Sequence, residues 1–141
     1  MPNKDELSVG DVVVEKTYEL DRRSLARYAG ASGDFNPIHY NDSYAEDAGL
    51  PGVIAHGMLT MSLAISAVVE CLGDPAAVLE YGTRFANPVQ VPGRGSVAVH
   101  VSATVREVGV DTLQLALHAK VDGQDVLGRA RATVRLDSNR G

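Results

Sequence analysis

Between Gly33 and His39 the chain reads Gly-Asp-Phe-Asn-Pro-Ile-His, which places a carboxylate and an imidazole five positions apart with Asn-Pro between them. Fully extended, that spacing would hold Asp34 and His39 up to ~17 Å apart. Asn-Pro favours a turn, and Pro37 keeps Asn36 out of the helical region, so a turn can bring both side chains onto one pocket. An acid and a base able to reach the same water or substrate atom are the minimum equipment for general acid–base chemistry. A second stretch, Ala55-His56-Gly57-Met58-Leu59, opens the most apolar segment of the chain. The first amides of a helix starting there have no internal acceptors and sit at the positive end of its dipole. Gly57 lets a ligand come close to that backbone. A thioester carbonyl set against the Gly57 amide would have its enolate-like charge stabilised. Asp34, His39 and Gly57 therefore read as a site for proton abstraction next to a carbonyl, a chemistry that includes hydration and dehydration of acyl thioesters.

The elements that must position these groups follow from the pattern around them. Val12 to Leu20 reads as a strand. Asp21 offers an N-cap, and Leu25, Tyr28 and Ala29 fall at helical spacing before Gly30. A loop runs from Ala31 to Asn41. Asn41 or Asp42 caps a short helix holding Tyr44, Ala45 and Ala48, which Gly49 ends. From Gly57 to Leu72 only Thr60, Ser62, Ser66 and Glu70 interrupt an apolar run, which Gly73 and Asp74-Pro75 stop. A helix apolar all round is surrounded by protein. The rest alternates with period two: a strand at about Val78 to Ala86, then Val97 to Arg106, Thr112 to Val121 and Gly128 to Leu136. Turns at Val108-Gly109-Val110-Asp111 and Asp122-Gly123-Gln124-Asp125 join the last three. These are antiparallel strands with one buried face. A long helix wrapped by one curved antiparallel sheet is the hotdog architecture, an α+β fold, predicted here as a single unit over residues 1–141. Its edge strands call for protection, so dimerisation is expected.

Composition bounds the rest. A chain of 141 residues is one domain by length, with 45% apolar and 22% charged residues. Aromatics are 5%, without Trp, so the core is Ala, Val, Leu and Ile, as a closely wrapped helix requires. A net charge of −5 argues against a nucleic-acid partner. The single cysteine, Cys71, excludes an intrachain disulfide and a cysteine-cluster metal site and fits a reducing, cytoplasmic compartment. No apolar run follows Lys4, so no signal peptide is expected. Between Asp47 and Glu70 no charged residue occurs, but Gly49, Pro51, Gly52, His56 and Gly57 break the first half. The clean helical part is shorter than the ~18–20 residues of a membrane span. The polar tail from Asp137 to Gly141 is expected to fray.

Tyr28-Ala-Gly-Ala-Ser-Gly33-Asp34-Phe-Asn36-Pro37-Ile-His39, with Ala45 following, resembles the hydratase-2 signature of the MaoC-like, (R)-specific enoyl hydratases. Ala55-His56-Gly57-Met58-Leu59-Thr60-Met61 and Tyr81-Gly-Thr-Arg84-Phe85 are also similar to that family. The resemblance covers nearly the whole chain. Within the family it looks most like the catalytic B-type subunit of the mycobacterial-style (3R)-hydroxyacyl-carrier-protein dehydratase of fatty acid synthase II. It implies syn addition of water across a trans-2-enoyl thioester, carried by coenzyme A or an acyl carrier protein, or the reverse, with no metal and no cofactor. It puts the catalytic pair on Asp34 and His39 and the oxyanion amide on Gly57. Asp34 then helps deprotonate the water and His39 exchanges the proton at C2. Asn36 reads as a loop organiser, and Ser62 as a core-packing residue or, as the alternative, one facing substrate. The partner implied is a second hotdog subunit, in a homodimer or a heterodimer. Two other classes share the fold, a hotdog acyl thioesterase and a non-catalytic partner subunit. The Asn-Pro-x-His pattern argues against the first and an intact acid–base pair against the second.

The remaining histidines and cations have plainer readings. His56 reads as a structural histidine at a helix start, while His100 and His118 lie on the polar faces of their strands. Met58 and Met61 read as core or tunnel lining, and Cys71 as a small core residue. The acidic excess lies before Cys71. Arg84, Arg94, Arg106, Lys120, Arg129, Arg131 and Arg135 fall in the sheet half, where a subset can meet phosphates of coenzyme A or an acidic carrier.

Overall fold

The computed structural model describes residues 1–136; the tail from Asp137 to Gly141, with its expected fraying, lies outside the described residues. In chain order the elements are β1 (Val12–Leu20), α1 (Arg22–Ser32), α2 (Asp42–Asp47), α3 (Gly57–Leu72), β2 (Val78–Phe85), β3 (Val97–Val108), β4 (Thr112–Val121), β5 (Gln124–Asp125) and β6 (Leu127–Arg135). Five strands form an antiparallel sheet in the order β1-β3-β4-β6-β2, and the two-residue β5 pairs with β4. The period-two pattern works as expected on the inner face. Val99, Val101, Ala103 and Val105 of β3 face the core, as do Leu113, Leu115, Leu117 and Ala119 of β4. Each of these valines and leucines contributes roughly 1.5–3 kcal/mol of burial. The Asp122-Gly123 turn takes left-handed backbone at both residues, φ 50° and 77°, as a two-residue hairpin requires.

Helix α3 begins at Gly57 and is stopped by Gly73, whose left-handed φ of 72° lets its amide reach Val69 O at 2.8 Å. Thr60, Ala64, Ala67 and Val68 are its buried residues. That spacing is a single stripe, laid across the inner face of β1, β3 and β4. Here the structure differs from the expectation of a helix surrounded on all sides. Met58 is 55% exposed and Ser66 is also exposed, because one curved sheet covers only one side of a helix. Helix α1 also differs. It runs two residues past Gly30 and stops at Gly33. Gly30 has helical backbone, so it costs only propensity, whereas Gly33 takes the left-handed conformation that ends the helix. His100 is exposed, and its Nδ1 pairs with Thr17 Oγ1 across the β1–β3 register at 2.8 Å. His118 is half-buried rather than fully solvated. Cys71 is half-buried against Val13.

One polar clamp ties the helices that carry the site. Asp21 caps α1 with a reciprocal capping box to Ser24. Arg22, next to it, grips Asp42 with two hydrogen bonds of 2.8 and 3.2 Å and donates through Nε to Val91 O at 2.9 Å. Asp42 also accepts from the Val53 amide at 3.1 Å. The Arg22 guanidinium, then the Val53 amide, hold the Asp42 carboxyl below its usual range. The starts of α1 and α2 and the segments around Val53 and Val91 are thus fixed to one another. Asn41 is the side chain that caps α2, by accepting from the Tyr44 amide at 3.0 Å. Among the described residues no helix is long and apolar enough to cross a membrane.

Candidate active site

Leaving α1 through Gly33, the chain reaches Asp34, whose Oδ1 accepts from the Asn36 amide at 3.1 Å. Asn36 repeats the device, its Oδ1 accepting from the Ile38 amide at 3.2 Å. Each is a side chain standing in for a turn carbonyl. Pro37 then opens a single 3₁₀ turn, Pro37–His39, closed by the His39 amide on Asn36 O at 3.0 Å. The outcome is an Asp34 Oδ2 to His39 Nε2 separation of 3.9 Å, in place of the ~17 Å an extended chain would allow. That gap is too long for a direct hydrogen bond and suits one water within reach of both atoms.

His39 is 8% exposed and Asp34 52% exposed, so the imidazole is sheltered while the carboxyl keeps solvent access. His39 Nδ1 lies 2.7 Å from Ile54 O. A carbonyl only accepts, so Nδ1 carries the proton and Nε2 is the nitrogen turned towards Asp34. Ile54 is itself held, donating its amide to Ile38 O at 3.2 Å and bridging Gln90. Ala55, next along, donates to Val89 O at 2.8 Å.

His39 lines a cavity of about 380 Å³ together with Gly57, Thr60, Phe85, Val126 and Leu127. Gly57 is the first residue of α3, so helix geometry leaves its amide without an internal acceptor. A Cβ at this position would stand 3.0 Å from the Phe85 ring, so only glycine admits the ring there unshifted. His39 and Gly57 thus line one cavity, and Asp34, which is not among its lining residues, stands next to it through His39. Asn36 holds the loop and turns its oxygen to Ile38 rather than to the cavity. Ser62 is not among the residues lining the cavity. Its hydroxyl donates to Leu59 O at 2.7 Å, one turn back in its own helix. Thr60, buried and on the cavity wall, stands closer to where a substrate would lie.

His56 takes a larger part than its sequence reading gave it. Its ring is 1% exposed, stacks on His39 with centroids 3.8 Å apart and planes 21° apart, and meets Tyr28 edge-on at 4.7 Å. Its Nε2 donates to Asp34 O at 3.1 Å. Burial, more than the counteracting Asp34 carbonyl, pushes its pKa below the ordinary histidine value. The signal available in sequence was the position of a histidine directly before the buried helix. The stacking itself joins residues 17 positions apart and has no sequence signature.

Asp34, His39 and His56 each offer a ligand atom within 4.8 Å of the others. The two imidazoles are nearly parallel, however, so their in-plane lone pairs run side by side rather than converging on one ion. His39 Nδ1 and His56 Nε2 are also committed to carbonyls. The arrangement suits proton transfer better than metal binding.

The fold is that of a hotdog domain, and comparison with known sequences places it in a family. Residues 6–121 match the MaoC like domain, and the chain belongs to that family. It is 43% identical over 73 residues to Arabidopsis thaliana peroxisomal enoyl-CoA hydratase 2, covering 50% of this chain and 24% of that protein. It is 39% identical over 75 residues to 3-hydroxyacyl-thioester dehydratase X of Mycobacterium tuberculosis, covering 53% and 26%. The chain thus spans about a quarter of the length of these curated relatives. Among solved structures, a MaoC-like dehydratase superposes with a TM-score of 0.91 at 36% identity over 96% of this chain and 42% of that one. R-hydratase PhaJ1 from Pseudomonas aeruginosa superposes at 0.81 with 28% identity, over 96% and 86%. The curved sheet with its helix is the hotdog fold of this family.

Proposed function

We propose that this chain is a hydro-lyase that adds water to trans-2-enoyl thioesters with (R) specificity and runs the reverse dehydration of (3R)-hydroxyacyl thioesters. The observation that carries this reading is the 3.9 Å pairing of Asp34 Oδ2 with His39 Nε2 beside a cavity walled by the first residue of α3. In the hydration direction one water sits between the two side chains. Asp34 accepts a proton from it as its oxygen bonds to C3. The electron pair displaced from the double bond moves onto the thioester oxygen, where the Gly57 amide meets the developing charge. His39, carrying hydrogens on both nitrogens at the start of the step, delivers its Nε2 proton to C2 and regains one from Asp34, 3.9 Å away, afterwards; both additions come from the face that holds the pair. Only protons and water move, so acid, base and amide supply all the reaction needs. Asn36 keeps Asp34 in place through the double turn, and the scheme gives Ser62 no contact with substrate.

The acyl chain fits the apolar cavity, with the coenzyme A or acyl-carrier-protein end outside. A second hotdog subunit, identical or different, fits the open side of α3 and the exposed β2 edge, where Leu79 is 54% and Phe85 57% exposed. A cytoplasmic setting within fatty acid metabolism suits a chain whose one cysteine is free.

Crotonyl-CoA hydration by the purified protein tests this, with chiral analysis of the product. Asp34→Asn and His39→Ala are each expected to lower kcat by about 10²–10⁴-fold, the range of a lost general acid or base. Activity in either variant equal to the parent's refutes the assignment. Release of free thiol in place of hydration would make the chain a thioesterase instead.

A further inference from the structure

We propose that His56 is a positioning residue for the acid–base pair, a neutral imidazole that holds Asp34 by its edge and His39 by its face. The inference rests on the reaction proposed above, but its geometry stands apart from any substrate. A residue that only filled core volume would be served better by an apolar ring, because the imidazole brings an unsatisfied atom into the interior. His56 Nδ1 is buried with no hydrogen-bond partner among the described residues. A buried polar atom left alone costs free energy and calls for an explanation.

The explanation lies at the other nitrogen and on the ring face. Nε2 faces the Asp34 carbonyl at 3.1 Å, so Nε2 must carry the hydrogen, and a neutral ring then leaves Nδ1 bare. The same ring lies flat on His39 at 3.8 Å. Among the described residues the Ile54 carbonyl is the hydrogen-bond partner of the His39 ring, and the stack adds a contact on its face. Tyr28 also packs edge-on with His56, ring centroids 4.7 Å apart. His56 is also the N-cap residue of α3, with extended backbone and no side-chain cap of its own. Its side chain, free of capping, is spent on the pair, and its backbone fixes where the Gly57 amide stands. One residue thereby sets acid, base and amide relative to one another. Burial depresses its own protonation and keeps a second positive charge away from His39 when that ring is charged.

Three variants separate the parts. His56→Gln keeps a donor towards Asp34 and loses the ring. His56→Phe keeps the ring and loses the donor. His56→Ala loses both. With crotonyl-CoA, His56→Ala is expected to lower kcat by about 10²-fold, the cost of a misplacement near 1 Å, with KM changed less than about threefold. His56→Gln and His56→Phe should each recover part of that loss. A second readout needs no activity. In protein labelled with ¹⁵N-histidine, His39 should show a protonated, slowly exchanging Nδ1 in the parent, faster exchange in His56→Ala and an intermediate rate in His56→Phe. Parent-like kcat in His56→Ala, a loss expressed wholly in KM, or unchanged His39 exchange in all three variants overturns the proposal. A parent without hydratase activity but with the expected His39 exchange series would sink the proposed reaction and leave the positioning role standing. Should His56→Ala fail to fold, Gln and Phe variants with parent-like kcat and exchange overturn it equally.

Discussion

Gly57→Ala should separate stability from activity, moving them in opposite directions. The backbone at Gly57 is ordinary right-handed helix, so alanine is admitted without strain. In a helix interior the exchange gains ~1 kcal/mol, and somewhat less in the first turn. Against this, the new Cβ would lie 3.0–3.1 Å from three atoms of the Phe85 ring, where ordinary carbon contacts are about 3.5–4.0 Å. The ring must retreat by roughly 0.5–1 Å. Phe85 is 57% exposed, so it has room to do so cheaply. The net effect on stability lies between zero and about +1 kcal/mol, an upward Tm shift of up to roughly 3 °C for a chain of this size. Activity should fall instead. The methyl and the displaced ring both intrude on the cavity wall beside the amide proposed to meet the thioester oxygen. The amide itself remains, so the effect is one of blocked approach, with the cost of a wholly lost donor, about 10²–10³-fold in kcat, as its ceiling. Thermal unfolding followed by circular dichroism, alongside the loss of enoyl absorbance of crotonyl-CoA, reads both quantities. A variant of equal or higher Tm with parental kcat would mean that no reacting carbonyl approaches Gly57.

Two further expectations concern the frame around the site. Arg22→Ala removes the cation that depresses the Asp42 carboxyl, leaving that carboxyl with only the Val53 amide. The depressed pKa means Asp42 stabilises the fold above its ordinary value of 3.8 and loses that contribution as pH falls below it. Urea titrations at neutral pH and at about pH 3 should therefore show a smaller parent-to-variant gap in acid; an equal gap would show that Arg22 acts only through Val91. Tyr81 donates to Met61 O at 2.7 Å, and burial pushes its hydroxyl up to about 12 from 10.0. Its raised pKa means stability present below pH 10 is lost as pH rises towards 12. Tyr81→Phe should cost about 1 kcal/mol at neutral pH and flatten the alkaline fall seen by thermal melts; a melt curve of unchanged pH dependence would assign that fall to other groups.

The sequence carries the elements further than it carries their neighbours. The strand Val12–Leu20 and helix Gly57–Leu72 have the bounds that their apolar spacing, caps and terminal glycines dictate. Local signals of this kind act within a few residues, which is why Asp21 and Asn41 are readable as caps. Gly30 and Gly33 show the limit, since both are plausible stops and only the backbone conformation decides between them. Asp34, Asn36 and His39 are legible because their turn is built from their own side chains. The hold of Ile54 O on His39 and the stack of His56 are not, because each joins segments brought together by the sheet and the Arg22–Asp42 clamp. The open side of α3 was invisible for a further reason. Apolar residues on every face show that a helix will be covered, without showing whether its own chain does the covering.

The walls of the cavity come from two sources, and this separates chemistry from selectivity. The reacting groups and everything that aims them lie between Arg22 and Val91, held by turns, caps and one polar clamp. Another part of the wall, Val126 and Leu127, lies where β5 gives way to β6 and takes part in none of those hydrogen bonds. Exchanging a methylene there alters which acyl chain fits by an energy of order 1–3 kcal/mol while leaving the proton-transfer geometry untouched. Such a chain can drift among substrates, in nature or under directed selection, without first giving up its reaction.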